Sequence, residues 1–259
     1  MAFPTRIYGK YGWEKVVTTS KKHPFGTIME FRDGRLFRYA QANGAILAGR
    51  LASSRPISNA AHDGDLVLAA AVAIGGTTVT LTNASAAVVV DQFNDGLLFV
   101  NDDGTSNPAG EGTLYRVKTS SVATTTGTIT IVIDEEEGIQ SEALLTADSQ
   151  LGLIENEWAE ANLWDVDAID GIPTGWAQVN VADNEFLWLC THGPTMALYD
   201  SDDNSVRGFG VIPSPTGGVD GSVRGFDLGG TTAVQNMIIG RAMVVSVDTE
   251  LQPVFALID

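Results

Sequence analysis

The sequence predicts a mainly β protein with little helix. Segments rich in valine, isoleucine and threonine recur along most of the 259 residues, and turn-forming glycine, aspartate and asparagine residues separate them. Only one stretch approaches a helical spacing of apolar residues. We therefore predict three parts: a basic N-terminal arm with a hairpin (residues 1–60), an inner β domain (61–160) and a C-terminal β domain (161–259). Short strands spaced by turns are typical of small barrels or sandwiches.

The N-terminal part combines an irregular arm with a hairpin. Prolines and glycines interrupt residues 1–26, which show no sustained period, and such a segment gains order from the surface against which it lies. Thr27–Ala40 alternates on either side of an Asp-Gly pair, which predicts a β-hairpin. Met29 and Phe31 lie on one face of its first strand, and the residues between them lie on the other.

A connector and an inner β domain follow. Residues 43–54 are small and apolar, so they predict either a short helix or an extended connector, and residues 58–65 predict a linker. The inner domain has six strand candidates, each bounded by turn residues. These candidates are Leu66–Ile74, Thr77–Thr82, Ala86–Val90, Gly96–Val100, Thr113–Lys118 and Thr128–Ile133.

The end of the inner domain holds the best helix candidate. Leucines recur at partly helical spacing in Glu142–Trp158, although Gly152 weakens the pattern. The acidic stretch 155–170 predicts an exposed connection to the C-terminal domain. Six strand candidates form that domain, and glycine-rich stretches separate the later ones. They are Trp176–Val181, Glu185–Cys190, Met196–Tyr199, Gly208–Ile212, Met237–Val247 and Val254–Ile258.

The charges are divided unevenly along the chain. The whole sequence has 32 acidic and 15 basic residues, a net charge of −17. Residues 1–55 hold ten of the bases and only three of the acids, so they carry +7, and the rest of the chain carries −24. Such a division suggests a basic arm joined to an acidic body.

The basic arm predicts a partner-binding surface. Aromatic residues alternate with its charges, and aromatic residues with arginine are typical anchors of protein interfaces. The alternative is a basic strand pair that folds back on its own acidic body. Nucleic acid is disfavoured as a partner, because the acidic body would repel phosphate and no nucleic-acid motif is present. The predicted contact residues are Tyr8, Lys10, Tyr11, Trp13, Lys21, Lys22, Phe31, Arg35, Phe37, Arg38 and Tyr39.

Catalytic and metal-binding patterns are weak throughout. A single cysteine excludes a disulfide framework, and Cys190 with His192 lacks an orienting third group, which favours a buried core cysteine. The acidic stretch 200–204 lacks the glycine and glutamate of a calcium loop, and the aspartates at 165–170 are similarly incomplete, so both predict solvated turns. Glu135–Glu137 also predicts a solvated loop. We expect no catalytic residue, no metal and no cofactor.

The sequence also lacks membrane and secretion signals. Its longest apolar run, Leu66–Ile74, is about half the length of a membrane helix, and the first residues contain no apolar core of a signal peptide. We therefore expect a soluble protein that is made inside the cell. If the chain were an enzyme, a hydrolase that uses Asp165 and Asp167 would be the class to consider.

Three stretches together resemble the capsid decoration proteins of tailed bacteriophages. Asp33–Leu51 (DGRLFRYAQANGAILAGRL) is similar to their N-terminal region, Ala182–Gly193 (ADNEFLWLCTHG) to a recurring strand, and Ile238–Ile258 (IIGRAMVVSVDTELQPVFALI) to their terminal hairpin. The resemblance implies a non-enzymatic protein on the outer capsid surface of the virion. It implies that the partner is the major capsid protein. It also implies that the protein often binds the capsid as a homotrimer, which bridges neighbouring capsomers.

An adhesin or receptor-binding module of a phage surface, such as a head fibre or a tail component, is the alternative function. A β-rich, acidic and glycine-rich composition fits that class too. It would require an aromatic patch that faces a glycan or receptor, whereas packing in the core is the other role open to such residues. The candidates are Trp158, Trp164, Trp176 and Trp188.

Overall fold

A computed structural model confirms the mainly β class. The described residues are 6–55, 62, 64, 66–83, 86–101, 110–133, 138–140, 142–167, 171–200, 205–214, 218–226 and 237–259. Within them lie seventeen strands and one 3-10 helix, Trp13–Lys15. The strands are β1 (Ile7–Tyr8), β2 (Ile28–Glu30), β3 (Leu36–Gln41), β4 (Leu51–Ser53), β5 (Leu66–Leu68), β6 (Thr78–Thr82), β7 (Leu97–Asn101), β8 (Leu114–Ser120), β9 (Thr128–Ile133), β10 (Gln150–Ile154), β11 (Asn162–Leu163), β12 (Pro173–Ala177), β13 (Phe186–Leu198), β14 (Gly210–Pro213), β15 (Val223–Gly225), β16 (Gly240–Ala242) and β17 (Leu251–Leu257).

The chain divides into two compact units. The barrel unit comprises Ile57–Asn156, and the sheet unit comprises Phe3–Pro56 together with Glu157–Asp259. The N-terminal and C-terminal parts therefore belong to one unit instead of two. Most of the predicted linker at 58–65 lies outside the described residues.

The barrel unit is a closed barrel of six antiparallel strands, in the order β10-β5-β6-β9-β8-β7. Its strands alternate as half-buried sheets require: in β9 the three isoleucines are buried, whereas Thr128 is exposed and Thr130 and Val132 are half-buried. The strands predicted at 77–82, 96–100, 113–118 and 128–133 are confirmed in position. Closure pairs every strand with two neighbours, so the described barrel has no open edge.

The predicted helix at 142–158 is wrong. This stretch holds turns and β10, which pairs with β7 over five residues and with β5 at its start, so it closes the barrel. Gly152 lies opposite Phe99, and the phenylalanine ring fills the space that a side chain at 152 would occupy. The leucine spacing that resembles a helix therefore belongs to a strand and the turn before it.

Two predicted strands of the barrel unit are shorter or absent. Ala86–Val90 forms no strand and contributes one isolated bridge, between Val88 and Ala123. Leu66–Ile74 is a strand only at Leu66–Leu68. The β-branched and apolar residues of both stretches match the pattern of a strand. Only part of each stretch, however, lies next to a segment with which it can pair.

The sheet unit is organised around β13. The first half of β13 pairs with β3 on one side and with β12 on the other, and its second half pairs with β17. The strand order along the main path is β1-β2-β3-β13-β17-β16-β14-β15. β13 is one strand of thirteen residues. It contains most of two segments that were predicted as separate strands, Glu185–Cys190 and Met196–Tyr199.

Several shorter elements complete this sheet. The stretch 43–54 is a connector that ends in β4, which pairs with β11 and β12. The strand predicted at Met237–Val247 is reduced to β16. Of the strand predicted at Trp176–Val181, only Trp176 and Ala177 lie in a strand, at the end of β12, and Val181 forms an isolated bridge to Ile46. The predicted hairpin at Thr27–Ala40 is confirmed, because β2 and β3 pair across the Asp-Gly turn with Met29 and Phe31 buried.

The N-terminal arm packs on its own sheet unit. Thr18 makes a bridge to Phe186, and the Phe25 ring stacks on the Phe186 ring with centroids 6.2 Å apart. β1 pairs in parallel with β2. Of the two alternatives for the arm, the described residues 6–26 therefore follow the one in which the basic segment folds back on its own body.

Gly96 is expected to be essential to the barrel. A Cβ at this position would lie 2.2 Å from the carbonyl oxygen of Ile154 and 3.0 Å from that of Phe93, and these backbone atoms cannot move without disturbing the barrel. We expect Gly96→Ala to lower the free energy of unfolding by about 2 kcal/mol, in the range of overpacked cores. The measurement is urea unfolding followed by circular dichroism.

Gly112→Ala is the control for this substitution. A Cβ at Gly112 meets nothing within 4 Å, so its only cost comes from the positive φ of 76°, about 1 kcal/mol. An equal or smaller loss for Gly96→Ala than for this control would contradict the close contact with Ile154.

Candidate partner-binding surface

The candidate surface lies on β1, an edge strand of the sheet unit. No described strand pairs with its outer side. Gly9 lets the chain approach the hairpin closely, since a Cβ there would lie within 3 Å of the side chains of Met29 and Phe31. The Gly9 N–H donates to the Glu30 carbonyl oxygen at 2.8 Å. Because successive peptide groups of a strand point to opposite sides, the N–H and C=O of Tyr8 point away from β2.

Three aromatic side chains stand exposed on this edge. Tyr8 is 78% exposed, Tyr11 67% and Trp13 43%. The Tyr11 ring lies 5.5 Å from the Phe31 ring, and the Arg35 guanidinium lies 5.7 Å from the Tyr11 centroid. Rings held by such contacts lose little entropy when they bind a partner, which is a property of interface anchors.

A buried carboxylate shapes the turn that carries Trp13. The Glu14 side chain is buried, and its Oε2 accepts a hydrogen bond from the Gly12 N–H at 2.7 Å. This contact holds the single 3-10 turn, which leaves Trp13 and Lys15 exposed. The Lys10 ammonium lies 5.9 Å from the centroid of the Trp13 ring, at the outer limit of a cation–π contact.

The acids of the N-terminal segment are all engaged internally. Glu14 caps its own turn, Glu30 pairs with Arg6 at 3.1 Å, and Asp33 pairs with Arg35 at 2.9 Å. Burial alone would raise the pKa of Asp33, but hydrogen bonds from the backbone and side chain of Arg35 outweigh it and lower that pKa. Excess positive charge is therefore left on the surface.

Lys15 and Arg32 belong to this positive surface, although the sequence-derived set omits them. Both are exposed, and neither forms an ion pair with a described residue. The alternation that directs Phe31 inward directs Arg32 outward, so the hairpin pattern contained the signal for Arg32. The exposure of Lys15 depends on the 3-10 turn, and the sequence pattern did not indicate that turn.

Three of the predicted contact residues are core residues instead. Phe31, Phe37 and Tyr39 are 2%, 0% and 2% exposed, so they do not form a contact surface. Strand alternation places their rings on one face of the hairpin, where they belong to the same hydrophobic core as Trp176 and Trp188. Arg35 spans both environments, because its guanidinium lies over the rings of Phe31 and Phe37 at one border of the core.

Two lysines of the predicted set lie further along the arm. The Lys21 ammonium lies 3.7 Å from the centroid of the Phe25 ring. The backbone N–H of Lys22 donates to the Tyr39 hydroxyl at 2.9 Å, and the side chain of Lys22 is exposed. The structure thus brings together Tyr8, Lys10, Tyr11, Trp13 and Arg35, which we name the basic aromatic edge.

The Arg38 side chain makes its contacts within the sheet unit, although the sequence predicted it as a contact residue for a partner. Its guanidinium pairs with the Asp259 carboxylate at 2.6 Å, donates to the Gly26 carbonyl oxygen at 3.0 Å and lies 4.9 Å from the Trp158 ring centroid. Burial would raise the pKa of Asp259, but hydrogen bonds from Arg38 and Thr191 outweigh it and lower that pKa. Arg38 therefore belongs to an internal clamp between the hairpin and the C-terminal segment.

The Cys190–His192 pair does not form a nucleophilic site. Burial raises the pKa of the Cys190 thiol to about 12, so the thiolate is not populated near neutral pH. A β-bulge at Thr191 breaks the regular alternation between the two residues, and the His192 ring packs against Phe255. The sulfur contacts the His192 carbonyl oxygen at 3.6 Å rather than its ring.

The acidic stretches provide no metal-binding cluster in the described part of the chain. The Asp165 carboxylate accepts a hydrogen bond from the Asp167 backbone N–H at 2.8 Å, as in an ordinary turn. Asp170, Glu135–Glu137 and residues 201–204 lie outside the described residues.

The tryptophans proposed for a receptor-facing patch lie mostly in the core. Trp164, Trp176 and Trp188 are buried. Trp158 is half-buried beneath Arg38, and its indole N–H donates to the Thr174 carbonyl oxygen at 3.3 Å. These four residues therefore do not form an exposed aromatic patch.

Comparison with protein-family models, with curated proteins and with solved structures finds no match to this chain. Among the residues that the structure describes, no helix has the length and apolar character needed to cross a membrane.

The Arg38–Asp259 clamp predicts a pH-dependent stability. Since the pKa of Asp259 is lowered in the folded chain, its contribution is complete above the ordinary aspartate pKa of 3.8 and is lost as the pH falls through the lowered value. We expect Asp259→Asn to lower the free energy of unfolding by about 1–2 kcal/mol at pH 7, because a charge-assisted pair is lost. The difference in the free energy of unfolding between this variant and the natural chain should shrink below pH 4.

The exposed Asp248 provides the control for this pair. Asp248→Asn removes one carboxylate without breaking a described ion pair. Denaturant unfolding at pH 7 and pH 3 measures both variants. A constant difference between Asp259→Asn and the natural chain across this range would contradict the assigned role of the carboxylate.

Proposed function

We propose that this protein decorates the outer capsid surface of a tailed bacteriophage and cements neighbouring capsomers. The basic aromatic edge is the observation that carries the proposal. It combines an edge strand whose outer side pairs with no described strand, exposed aromatic rings and positive charge within an acidic chain. The partner is the major capsid protein.

The three stretches that resemble decoration proteins support this proposal by their positions. Asp33–Leu51 contains β3, Ala182–Gly193 contains the first half of β13, and Ile238–Ile258 contains β16 and β17. These strands are consecutive neighbours in the sheet, in the order β3-β13-β17-β16. The resemblance thus concerns one continuous substructure instead of three separate fragments.

The physical properties of the edge suit a lattice partner. An outer strand can pair with a strand of the partner through main-chain hydrogen bonds, while its flanking rings fill pockets. Positive charge complements an acidic capsid surface and fixes the register of binding. Many copies on one particle would add avidity, and the net charge of −17 would keep decorated particles apart in solution.

The proposal includes several further properties. The protein is made in the host cytoplasm and then binds the completed shell, where copies associate as homotrimers. Its role is structural, without catalysis, cofactor or direct contact with nucleic acid. The N-terminal segment packs on its own sheet unit, so the basic aromatic edge is formed before it binds. The entropy lost on ordering this segment therefore opposes binding only a little.

The direct test is binding to expanded, undecorated capsids of the phage that encodes the chain. Sedimentation of capsids should carry the protein down at a fixed, saturable stoichiometry. We expect Trp13→Ala combined with Lys10→Glu to weaken binding at least about tenfold, since exposed aromatic and charged anchors dominate such interfaces. Absence of saturable binding by the natural chain would overturn the proposed function.

Matched controls separate the edge from general charge effects. Lys118→Glu makes the same charge change as Lys10→Glu on an exposed strand position of the barrel unit, and it should leave binding unchanged. Point substitutions are preferable to deletion of residues 1–26, because deletion would also remove Thr18 and Phe25, which contact Phe186. Equal losses of binding from Lys118→Glu and from the Trp13→Ala, Lys10→Glu double variant would contradict the role of the edge in binding.

Strand addition at β1 has a test of its own. Tyr8→Pro removes the outward-pointing N–H and leaves the pairing with β2 intact, whereas Tyr8→Ala removes only the ring. If the capsid adds a strand to this edge, Tyr8→Pro should weaken binding several-fold more than Tyr8→Ala. Equal binding by the two variants would show that only the side chain of Tyr8 contributes.

A further inference from the structure

A second candidate site lies in the sheet unit, away from β1. A cavity of about 360 Å³ is lined by Glu157, Ile172, Met237, Ile238, Leu257 and Asp259, among others. This volume lies at the lower end of the range for ligand pockets, about 300–1,000 Å³. The four apolar side chains of this set are each more than 40% exposed, so they form apolar walls that are open to a partner.

Two carboxylates in the cavity differ in their partners. Asp259 is satisfied by the Arg38 guanidinium and by the Thr191 hydroxyl, which donates to it at 2.5 Å. Glu157 forms no ion pair or hydrogen bond with a described residue, although it is half-buried. Burial raises the pKa of Glu157; Arg38 opposes that rise, and the charge of Asp259 adds to it.

An unpaired carboxylate among apolar walls has a specific complement. A lysine side chain presents an ammonium group at the end of a four-carbon apolar stem, so it can pair with the carboxylate while the stem lies along the walls. Apolar side chains on either side of that lysine, in the same peptide, would cover Ile172, Met237 and Ile238. The acidic charge of the chain beyond residue 55 also favours the approach of a cation.

We propose that this cavity binds a peptide segment of a partner protein in which a lysine is flanked by apolar residues. The ammonium group pairs with the Glu157 carboxylate, and the flanking residues pack on Met237 and Ile238. This site is separate from the basic aromatic edge, so it stands whether or not the edge binds a capsid.

The test uses the full chain, labelled with ¹³C at the methionine methyl groups. The sequence has five methionines, and the Met237 methyl reports on the cavity. Met196 is similarly exposed but does not line the cavity, so it is an internal control. Titration with acetyl-Leu-Lys-Leu-amide should shift the Met237 resonance saturably and leave the Met196 resonance in place.

Matched ligands and variants test the ion pair. A peptide with norleucine in place of lysine keeps the stem without the charge, and it should bind about tenfold more weakly. Glu157→Gln should weaken the lysine peptide by a similar factor. Glu160→Gln removes the same charge three residues away, at a carboxylate that pairs with Arg55, and it should have no effect.

Several results would overturn the inference. They are no saturable shift at Met237, equal binding of the lysine and norleucine peptides, and equal effects of the two glutamine substitutions. Ile238→Asn provides a second variant at a half-exposed wall residue, and it should weaken both peptides alike. Failure of capsid binding leaves these results unaffected, because the probe is a short peptide and the edge is not involved.

Discussion

The sheet unit depends on the pairing of β13 with strands from both ends of the chain. One half of this strand bonds to β3 and the other half to β17, so thirteen consecutive residues join two strands that lie more than 200 positions apart. Closing loops of this length costs entropy, which the long ladder and the core beneath it must repay. The Arg38–Asp259 pair lies where the ladder passes from β3 to β17, next to the bulge at Thr191.

The position of the basic aromatic edge follows from this pairing. With β3 held against β13, the hairpin directs Phe37 and Tyr39 into the core and leaves β2 as the support for β1. β1 is consequently the outermost strand of that side. The carboxylates of the segment are used inside it, so the charges of Lys10, Lys15 and Arg32 are available to a partner.

The two proposed sites of the sheet unit have opposite chemistry. The edge offers cations, exposed rings and main-chain hydrogen bonds, and a capsid surface with carboxylates and a free strand would complement it. The cavity offers Glu157, a carboxylate without an ion-pair partner among the described residues, between apolar walls, and a lysine between apolar residues would complement it. A protein with both sites could hold two different partner segments at once, as a cement between neighbouring subunits requires.

Local pattern alone predicted the β class, the Thr27–Ala40 hairpin and most barrel strands, because alternation and turn chemistry act between near neighbours in the chain. It also led to the wrong helix at 142–158, where leucine spacing reflects a strand that closes a barrel with two partners, β7 and β5, that are distant in the sequence. Tertiary pairing decided that the basic segment packs on its own unit, that Phe37 is core and that Glu157 lines a cavity. These outcomes depend on which distant strand covers each face, and no local spacing contains that information.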